Sequence, residues 1–264
     1  AYKMFTKAMK MAKPGMYEYE VAGVMEGIAR SKNGSLSFPS ILSVRGEILH
    51  GHYHNNQMKE GDLLLIDAGF ETPNGYATDH TRVVPVSGKF TQKQKEIYQI
   101  VLDSQLAAIN AIKPETTYKS IHLLACKVIV EGLKKLALMK GDAEEAVKAG
   151  AHALFLPHGL GHMMGLDVHD MEDIGQIYVG YDNEVRPSEQ FGTAYLRMGR
   201  KLQAGFIITV EPGIYFIPEL VKLWKSENKF SEYINYNKVE EYLGFGGIRL
   251  EDDVLVTETG YKIL

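Results

Sequence analysis

The chain has 264 residues, 45% of them hydrophobic and 23% charged, an ordinary composition for a globular protein with a sizeable core. Its 29 basic and 33 acidic residues give a formal net charge of −4, which excludes a strongly basic surface for nucleic acid or anionic membranes. No apolar run reaches the length of a transmembrane helix, and the first residues lack the apolar core of a signal peptide. We therefore expect no nucleic-acid partner and no membrane partner.

Two helices and an edge strand are predicted at the start of the chain. Apolar side chains recur on one face of residues 1–12, and Pro14-Gly15 ends that helix before a second one over residues 17–31. Because the chain starts inside a helix without an N-cap residue, we expect that an upstream region has been removed. Residues 36–45 have a strand pattern, and Pro39 favours a position at the edge of a sheet.

Three histidines follow at alternate positions, His50, His52 and His54. On a strand they would share one face. For His52 and His54, a solvated polar loop is the favoured interpretation.

A hairpin with two carboxylates comes next. Residues 63–66 form a continuous apolar run, typical of a strand buried on both faces, and Asp67 is carried into the interior at its end. The turn signal Pro73-Asn74-Gly75 then predicts a return strand bearing Asp79. Two carboxylates on paired buried strands would repel each other, so we expect a metal ion between them.

The middle of the chain is predicted to be helical scaffold. Amphipathic helices are expected over residues 91–112, 118–139 and 142–151, the last with Asp142 as N-cap. The only cysteine, Cys126, lies in an apolar helical stretch and cannot form an intrachain disulfide. A buried, unreactive thiol and a cytoplasmic location are therefore expected.

A glycine-rich segment with three histidines, His158, His162 and His169, is the second informative stretch. Its interleaved glycines argue against a zinc-binding helix, so a strand or loop is predicted. Three histidines so close together favour a functional site. Residues 171–204 lack periodicity and predict a long loop over this site. Residues 219–245 predict an aromatic packing flap.

A second hairpin near the C-terminus repeats the glycine, carboxylate, glycine pattern of the first, with Glu211 in the place of Asp67. Downstream, Glu251 follows a glycine by four residues, as Asp79 does. The repeat extends upstream, because a Lys-Pro pair separates two helical segments in each half. Two related halves imply an approximate internal twofold axis on which the four carboxylates converge.

Four carboxylates and one imidazole form an oxygen-rich donor set suited to Mn²⁺, Co²⁺ or Zn²⁺. Four acid charges would balance two divalent ions in a buried pocket. Two such ions activate water and polarise a carbonyl together, so the residues predict hydrolysis.

With these motifs in place, the chain resembles the catalytic domain of the pita-bread metallopeptidases, namely methionine aminopeptidase, aminopeptidase P and prolidase. The resemblance covers residues 1–264 and implies an α+β fold of two pseudo-twofold related halves, with a curved antiparallel sheet covered by helices. An N-terminal domain of the longer protein would be absent. The five positions that match the family's metal ligands are Asp67, Asp79, His162, Glu211 and Glu251.

Segments 158–162, 166–170, 210–215 and 246–253 are similar to the proline-specific branch of this family. The resemblance implies dinuclear hydrolysis of the Xaa–Pro bond in short peptides, with Mn²⁺ as the expected metal, by an Xaa-Pro dipeptidase or an Xaa-Pro aminopeptidase. A methionine aminopeptidase-like enzyme and a non-catalytic binding protein are the alternatives. A homodimer of the full-length protein is left open.

The resemblance also implies roles for individual side chains. Glu211 would be both metal ligand and proton shuttle, His158 would donate to the developing oxyanion, and His169 would orient substrate. The expected substrate contacts come from His50 in the proline pocket, Arg197 as a clamp for the substrate carboxylate, and two further residues, Tyr215 and Arg249.

Overall fold

The structure, a computed structural model, describes residues 1–264. Its helices are α1 Tyr2–Met11, α2 Glu18–Ser31, α3 Gln92–Asn110, α4 Tyr118–Lys135, α5 Ala143–Ala149, α6 Gln176–Val179, α7 Pro218–Ser226 and α8 Tyr236–Glu240. Its strands are β1 Ser35–Leu36, β2 Ile41–Ser43, β3 Leu63–Ala68, β4 Phe70–Glu71, β5 His80–Pro85, β6 Ile207–Val210, β7 Gly213–Tyr215, β8 Gly247–Arg249, β9 Asp252–Val256 and β10 Tyr261–Ile263. Short 3₁₀ helices occupy Ala151–Leu154, Glu172–Ile174 and Thr193–Tyr195.

The two halves repeat one arrangement, a helix pair followed by an antiparallel sheet. In the first half α1 packs on α2, and β3 lies between β2 and β5. In the second half α3 packs on α4, and β9 lies between β6 and β10. An antiparallel bridge between Thr81 and Glu251 joins the two halves where their hairpins meet. The predicted α+β fold with two related halves is confirmed.

The helices begin where the sequence supplies N-caps. Thr91 and Gln94 form a capping box at the start of α3, each side chain bonding the other's backbone N–H. Asp142 accepts hydrogen bonds from two backbone N–H groups of α5, as predicted. The predicted helices are confirmed, with boundaries that differ by a few residues.

The largest core cluster lies under α3 and α4 and includes buried aromatic residues from the segment 219–245, namely Trp224, Tyr236 and Tyr242. This segment forms α7 and α8, so its predicted packing role is confirmed. A second core cluster joins α1 and α2 to the outer face of β3.

One predicted strand is divided in the structure, and a segment that left strand and loop open is resolved. Residues 36–45 form two short strands separated at Pro39, of which β2 is an edge strand as expected. The segment carrying His50, His52 and His54 forms turns and irregular loop, which agrees with the loop predicted for His52 and His54, and the three residues do not share a strand face. None of the helices is long and apolar enough to cross a bilayer.

Candidate metal centre

The first hairpin carries its two acids into the interior, as its sequence predicts. Asp67 lies on β3, which is buried along its whole length between β2 and β5. Asp79 immediately precedes β5, and its backbone N–H donates a hydrogen bond to Asp253 Oδ2 at 3.1 Å. Both acids are over 90% buried, Asp67 with 7% and Asp79 with 6% of its surface exposed.

The second hairpin brings Glu211 and Glu251 together from opposite strands. Val210 pairs with Asp252 and Gly213 pairs with Arg249, so one register runs through the gap between β6 and β7 and places Glu211 opposite Glu251. Glu251 Oε2 accepts a hydrogen bond from the hydroxyl of Thr81 at 2.6 Å, which fixes its carboxylate against the first half.

His162 enters from the glycine-rich segment. Its backbone N–H donates to Thr209 Oγ1 at 3.1 Å, which ties the segment to β6. Its Nδ1 lies 3.0 Å from the carbonyl oxygen of Met163, so Nδ1 is the donor to that carbonyl and Nε2 is the nitrogen turned toward the acids. That nitrogen lies 3.5 Å from Asp79 Oδ2 and 3.9 Å from Glu211 Oε1.

These side chains suit a cation. Ligand atoms of Asp79, His162 and Glu251 lie within 4.8 Å of one another, and Asp79 Oδ1 is buried without a hydrogen-bond partner. Asp67 and Glu211 line the same cavity, although Asp67 also contacts the guanidinium of Arg249. A buried oxygen without a partner is costly unless a bound cation takes up its lone pairs.

The electrostatics of the site agree with this assignment. Burial, reinforced by the neighbouring carboxylates, raises the pKa of Asp79 and of Glu251 well above their usual ranges. Burial also raises the pKa of Glu211. Asp253 lies behind Asp79, and burial raises its pKa to about 8. These carboxyl groups are therefore hard to ionise on their own, and a bound cation would favour their charged forms.

A buried network stands behind the site and joins three of the predicted residues. Arg249 donates from Nη1 to the hydroxyl oxygen of Tyr215 at 2.9 Å, and that hydroxyl lies 2.8 Å from His158 Nε2. The other ring nitrogen of His158 lies 2.7 Å from the carbonyl oxygen of Gly159. His158 Nδ1 is thus the donor and Nε2 accepts from Tyr215. Burial lowers the pKa of His158 to about 3, so its ring is neutral.

Tyr215 differs from its predicted role. It is fully buried and is not among the cavity walls, where the sequence places a substrate contact. Its hydroxyl instead holds His158 and Arg249 in place. Arg249 does line the cavity, but its guanidinium is bonded to protein groups, including Thr81.

The cavity above the acids has a volume of about 590 Å³. Its walls include the predicted residues His50, His158, His169 and Arg197. The ring of His169 packs edge-on against His162 with the ring centroids 4.3 Å apart. Burial lowers the pKa of His169 to about 3 and also lowers the pKa of His50.

Sequence reasoning missed Glu172, which binds Arg197 across the cavity rim. The Arg197 Nη1 to Glu172 Oε2 distance is 2.5 Å, and the same carboxylate oxygen lies 3.8 Å from His169 Nδ1. The position of Glu172, three residues after His169, was the one signal in the sequence.

Asp253 was also missed, although it follows Glu251 by only two positions on a strand and so shares its side.

An acidic floor with one imidazole in an α+β fold of two related halves is the arrangement of a metallopeptidase. The chain belongs to metallopeptidase family M24, whose model matches residues 1–258. Named relatives agree with this assignment. The chain is 43% identical over 216 residues to a probable Xaa-Pro aminopeptidase of Tuber melanosporum, covering 81% of this chain and 45% of that protein. It is 36% identical over 266 residues to the Xaa-Pro dipeptidase of Homo sapiens, covering 98% and 52% respectively.

Solved structures give the same result. A histidine-to-alanine variant of Escherichia coli aminopeptidase P superposes with a TM-score of 0.79 at 36% identity, covering 99% of this chain and 51% of that one. A structure of the same enzyme with the inhibitor Pro-Leu matches with a TM-score of 0.78 at 35% identity, covering 99% and 52%. The chain therefore spans about half the length of these relatives.

Proposed function

We propose that this chain hydrolyses the bond between an N-terminal residue and a following proline in short peptides. The main structural support for this proposal is the buried acidic cluster with His162 at the floor of a cavity of about 590 Å³. Relatives named Xaa-Pro dipeptidase and Xaa-Pro aminopeptidase support the substrate class. Proline has a ring and lacks a backbone N–H, so a dedicated pocket is required to bind it.

Five side chains would hold two divalent cations, namely Asp67, Asp79, His162, Glu211 and Glu251. The four carboxylates balance the charge of two such ions, and the oxygen-rich set suits Mn²⁺, with Co²⁺ or Zn²⁺ as alternatives. When bound, the ions would polarise the scissile carbonyl and make a nearby water more acidic.

Glu211 is the proposed proton carrier. One of its carboxylate oxygens faces His162 Nε2 at 3.9 Å, and the other faces His158 Nδ1 at 4.0 Å. It lines the cavity, so it can accept a proton from the attacking water and deliver it to the departing proline nitrogen.

His158 is the proposed donor to the carbonyl oxygen that gains charge during attack. Its Nδ1–H would exchange the carbonyl of Gly159 for the substrate oxygen, while Tyr215 keeps hold of Nε2. His169 and His50 would orient the peptide from the cavity walls.

Arg197 is the proposed clamp for the carboxylate of a dipeptide, because a guanidinium forms paired hydrogen bonds with a carboxylate. Its present partner, Glu172, is itself a carboxylate and occupies the place that the substrate group would take. This favours a dipeptidase in which substrate displaces Glu172. An aminopeptidase acting on longer peptides would leave the Arg197 to Glu172 pair intact.

The test is to measure kcat/KM for Ala-Pro and Ala-Pro-Ala with the Mn²⁺-loaded protein and its Arg197→Ala variant. Losing hydrogen bonds to a charged group costs about 1.5–3 kcal/mol, so Arg197→Ala should lower Ala-Pro cleavage about 10- to 100-fold. Cleavage of Ala-Pro-Ala should change less than about threefold, since its carboxylate lies one residue further out. Arg186→Ala, in the same loop but exposed, is the matched control.

Equal losses of kcat/KM on both substrates would contradict the clamp role of Arg197 but would not contradict the proposed hydrolase activity. No cleavage of either peptide, with metal shown to be bound, would contradict the hydrolase and favour the non-catalytic alternative. Removal of an N-terminal methionine in preference to either peptide would favour the methionine aminopeptidase-like alternative. A cytoplasmic location and a homodimer of the longer protein stay predictions from sequence.

A further inference from the structure

Outside the acidic cavity, the second half contains another cluster of metal-binding side chains, formed by His122, Cys126 and His152. His122 and Cys126 are four residues apart on α4 and therefore lie on one face of that helix. His152 reaches them from the 3₁₀ helix Ala151–Leu154, which packs against α4. One ligand atom from each of the three lies within 4.8 Å of the others.

The distances between Cys126 and His122 suit two ligands of one metal ion after a small rotation of the His122 ring. Cys126 Sγ lies 3.6 Å from His122 Nε2 and 3.9 Å from His122 Nδ1. Sulfur and nitrogen ligands at about 2.3 and 2.0 Å from one ion would be separated by a similar distance. The ring of His122 would turn about its terminal torsion to aim one lone pair at the ion, and such torsions have broad energy wells.

His152 provides independent support for a metal-binding role. The residue is fully buried, yet its two ring nitrogens are incompletely paired. The backbone carbonyl of Val147 interacts with one ring nitrogen, and the other ring nitrogen has no partner. Buried imidazoles are ordinarily paired, and a ligating histidine commonly turns its other N–H toward a backbone carbonyl. His152 therefore has the surroundings of a metal-binding histidine.

The charge of the cluster decides which ion would fit. Cys126 lies in the largest apolar core cluster, and no carboxylate influences its ionisation or that of His152. One thiolate and two neutral imidazoles carry a single negative charge, which a monovalent ion cancels. A divalent ion would leave one positive charge in an apolar interior, at a large desolvation cost. Thiolate sulfur also selects soft ions such as Cu⁺.

We propose that His122, Cys126 and His152 form a buried site for a soft monovalent metal ion, Cu⁺, separate from the acidic cavity and independent of the peptidase function. On binding, the Cys126 thiol loses its proton to solvent as the sulfur–copper bond forms, and no electron is transferred. Because the site has no exposed surface, the ion enters through local opening between α4 and the 3₁₀ helix.

The test is an anaerobic titration of the Mn²⁺-loaded protein with Cu⁺ in the presence of a Cu⁺ chelator of known affinity. Excess Mn²⁺ keeps the acidic cavity filled. Cys126 is the only cysteine, so a thiolate-to-copper absorption band in the near ultraviolet reports on this site alone. We expect one equivalent of Cu⁺ with the band, and neither tight binding nor the band in Cys126→Ser.

His152→Leu separates a three-ligand site from a simple thiol complex. Groups that merely orient metal ligands change affinity about 10- to 100-fold, so losing a direct ligand should weaken Cu⁺ binding at least tenfold. His54→Leu, a histidine outside the cluster, is the matched control and should bind Cu⁺ like the wild type. Circular dichroism of each variant before titration verifies that it is folded.

Unchanged Cu⁺ affinity in folded His152→Leu would overturn the site, as would the absence of the band in the wild type. Tighter binding of Zn²⁺ than of Cu⁺ would overturn the choice of a monovalent ion. If His152→Leu does not fold, the wild type still provides a test through alkylation of Cys126 under mild denaturant. One equivalent of Cu⁺ should slow that reaction at least tenfold, and an unchanged rate would overturn the proposal.

Discussion

The two halves of the molecule carry equivalent hairpins but position their acids differently. In the first half, the β3–β5 register pairs Asp67 with Thr81, so Asp79 lies two residues further along the opposite strand. In the second half, the register places Glu211 directly opposite Glu251, and Pro212 interrupts the hairpin beside them. The internal repeat therefore delivers four acids to one place without strict symmetry between them.

Each half also sends one arginine to the other. Arg249 of the second half contacts Asp67, and Arg82 of the first half binds the carbonyl oxygen of Glu251 at 2.7 Å and Asp252 at 2.5 Å. The Arg249 side chain is only 5% exposed, whereas that of Arg82 is 32% exposed. The two arginines are related by the twofold pattern but differ in role. The buried Arg249 compensates the negative charge of an acid in the site, whereas the partly exposed Arg82 joins strands of the two halves near the surface.

The two helix pairs also place different residues at an equivalent position. Glu18 and Tyr118 are the first residues of α2 and α4, and both are fully buried. Glu18 accepts hydrogen bonds from Val44 and Asn56, which anchors the loop that carries His50. Tyr118 donates its hydroxyl to the carbonyl of Thr209 at 2.5 Å, close to His162. The same position in the two helix pairs therefore supports the loop that carries His50 in one half and the strand beside His162 in the other.

The strongest test of the comparison is to remove one acid from each hairpin. We expect Asp79→Asn and Glu251→Gln each to lower kcat about 10³-fold or more. When several catalytic groups act as one unit, removing a single group loses most of the rate enhancement of the whole set. The measurement is steady-state cleavage of the Xaa-Pro substrate with Mn²⁺ present. Asp252→Asn, beside Glu251 but outside the cavity, should retain activity. A large effect in one hairpin alone would mean that the halves do not share one centre.

The two arginines should differ in stability. Arg249→Met breaks a buried ion pair and should lower the free energy of unfolding by about 3–5 kcal/mol. Arg82→Met removes a partly exposed pair and should cost about 1 kcal/mol or less. Urea denaturation of the metal-free proteins measures both. Equal losses would show that the inner and outer positions are energetically equivalent, contrary to their burial.

Only the second half has buried histidines in or against its helix pair, one on α4 and one on the 3₁₀ helix that packs on α4, and they should make the metal-free fold sensitive to acid. Burial lowers the pKa of His122 to about 3 and of His152 to about 4, so both rings are neutral in the fold. Below about pH 6.5 the unfolded chain takes up protons that the fold excludes, so this contribution to stability falls as the pH drops toward 4. One such group changes stability by about 3 kcal/mol across that range.

The difference between wild type and His152→Leu isolates this effect, because the acids of the site titrate in both proteins. Unfolding free energies at pH 7 and pH 5 should differ less in the variant than in the wild type. An identical pH dependence in the two proteins would mean that His152 is protonated or solvated in the fold.

The smallest effects concern the turns that begin the two matched strands. Gly61 and Gly205 have φ angles of 89° and 94°, and a Cβ at either position would have open space around it. Gly61→Ala and Gly205→Ala should each cost about 1–2 kcal/mol through backbone strain alone. Gly260→Ala, equally open but without a positive φ, should be neutral. Chemical denaturation measures the free energy of unfolding of each variant. Unequal losses for Gly61→Ala and Gly205→Ala would show that the two turns are not equivalent.

Much of the fold was predictable because its signals are local. The caps at Thr91 and Asp142, the apolar run before Asp67 and the glycine spacing shared with Glu211 each act within a few residues. The role of Tyr215 was not predictable, because its neighbouring residues resemble those of an exposed site loop. Its burial depends on distant groups that cover it, including Arg249.

By itself, the sequence determined the helices, the two acid-bearing hairpins and the family, since these depend on periodicity, caps and spacing along one chain. Only the tertiary structure decided which groups meet across the twofold axis. It paired Arg249 with Asp67 and Arg197 with Glu172, and it brought His152 to Cys126. The physical reason is that ion pairing and ligand geometry depend on distances of a few ångströms between segments far apart in sequence, which local patterns do not encode.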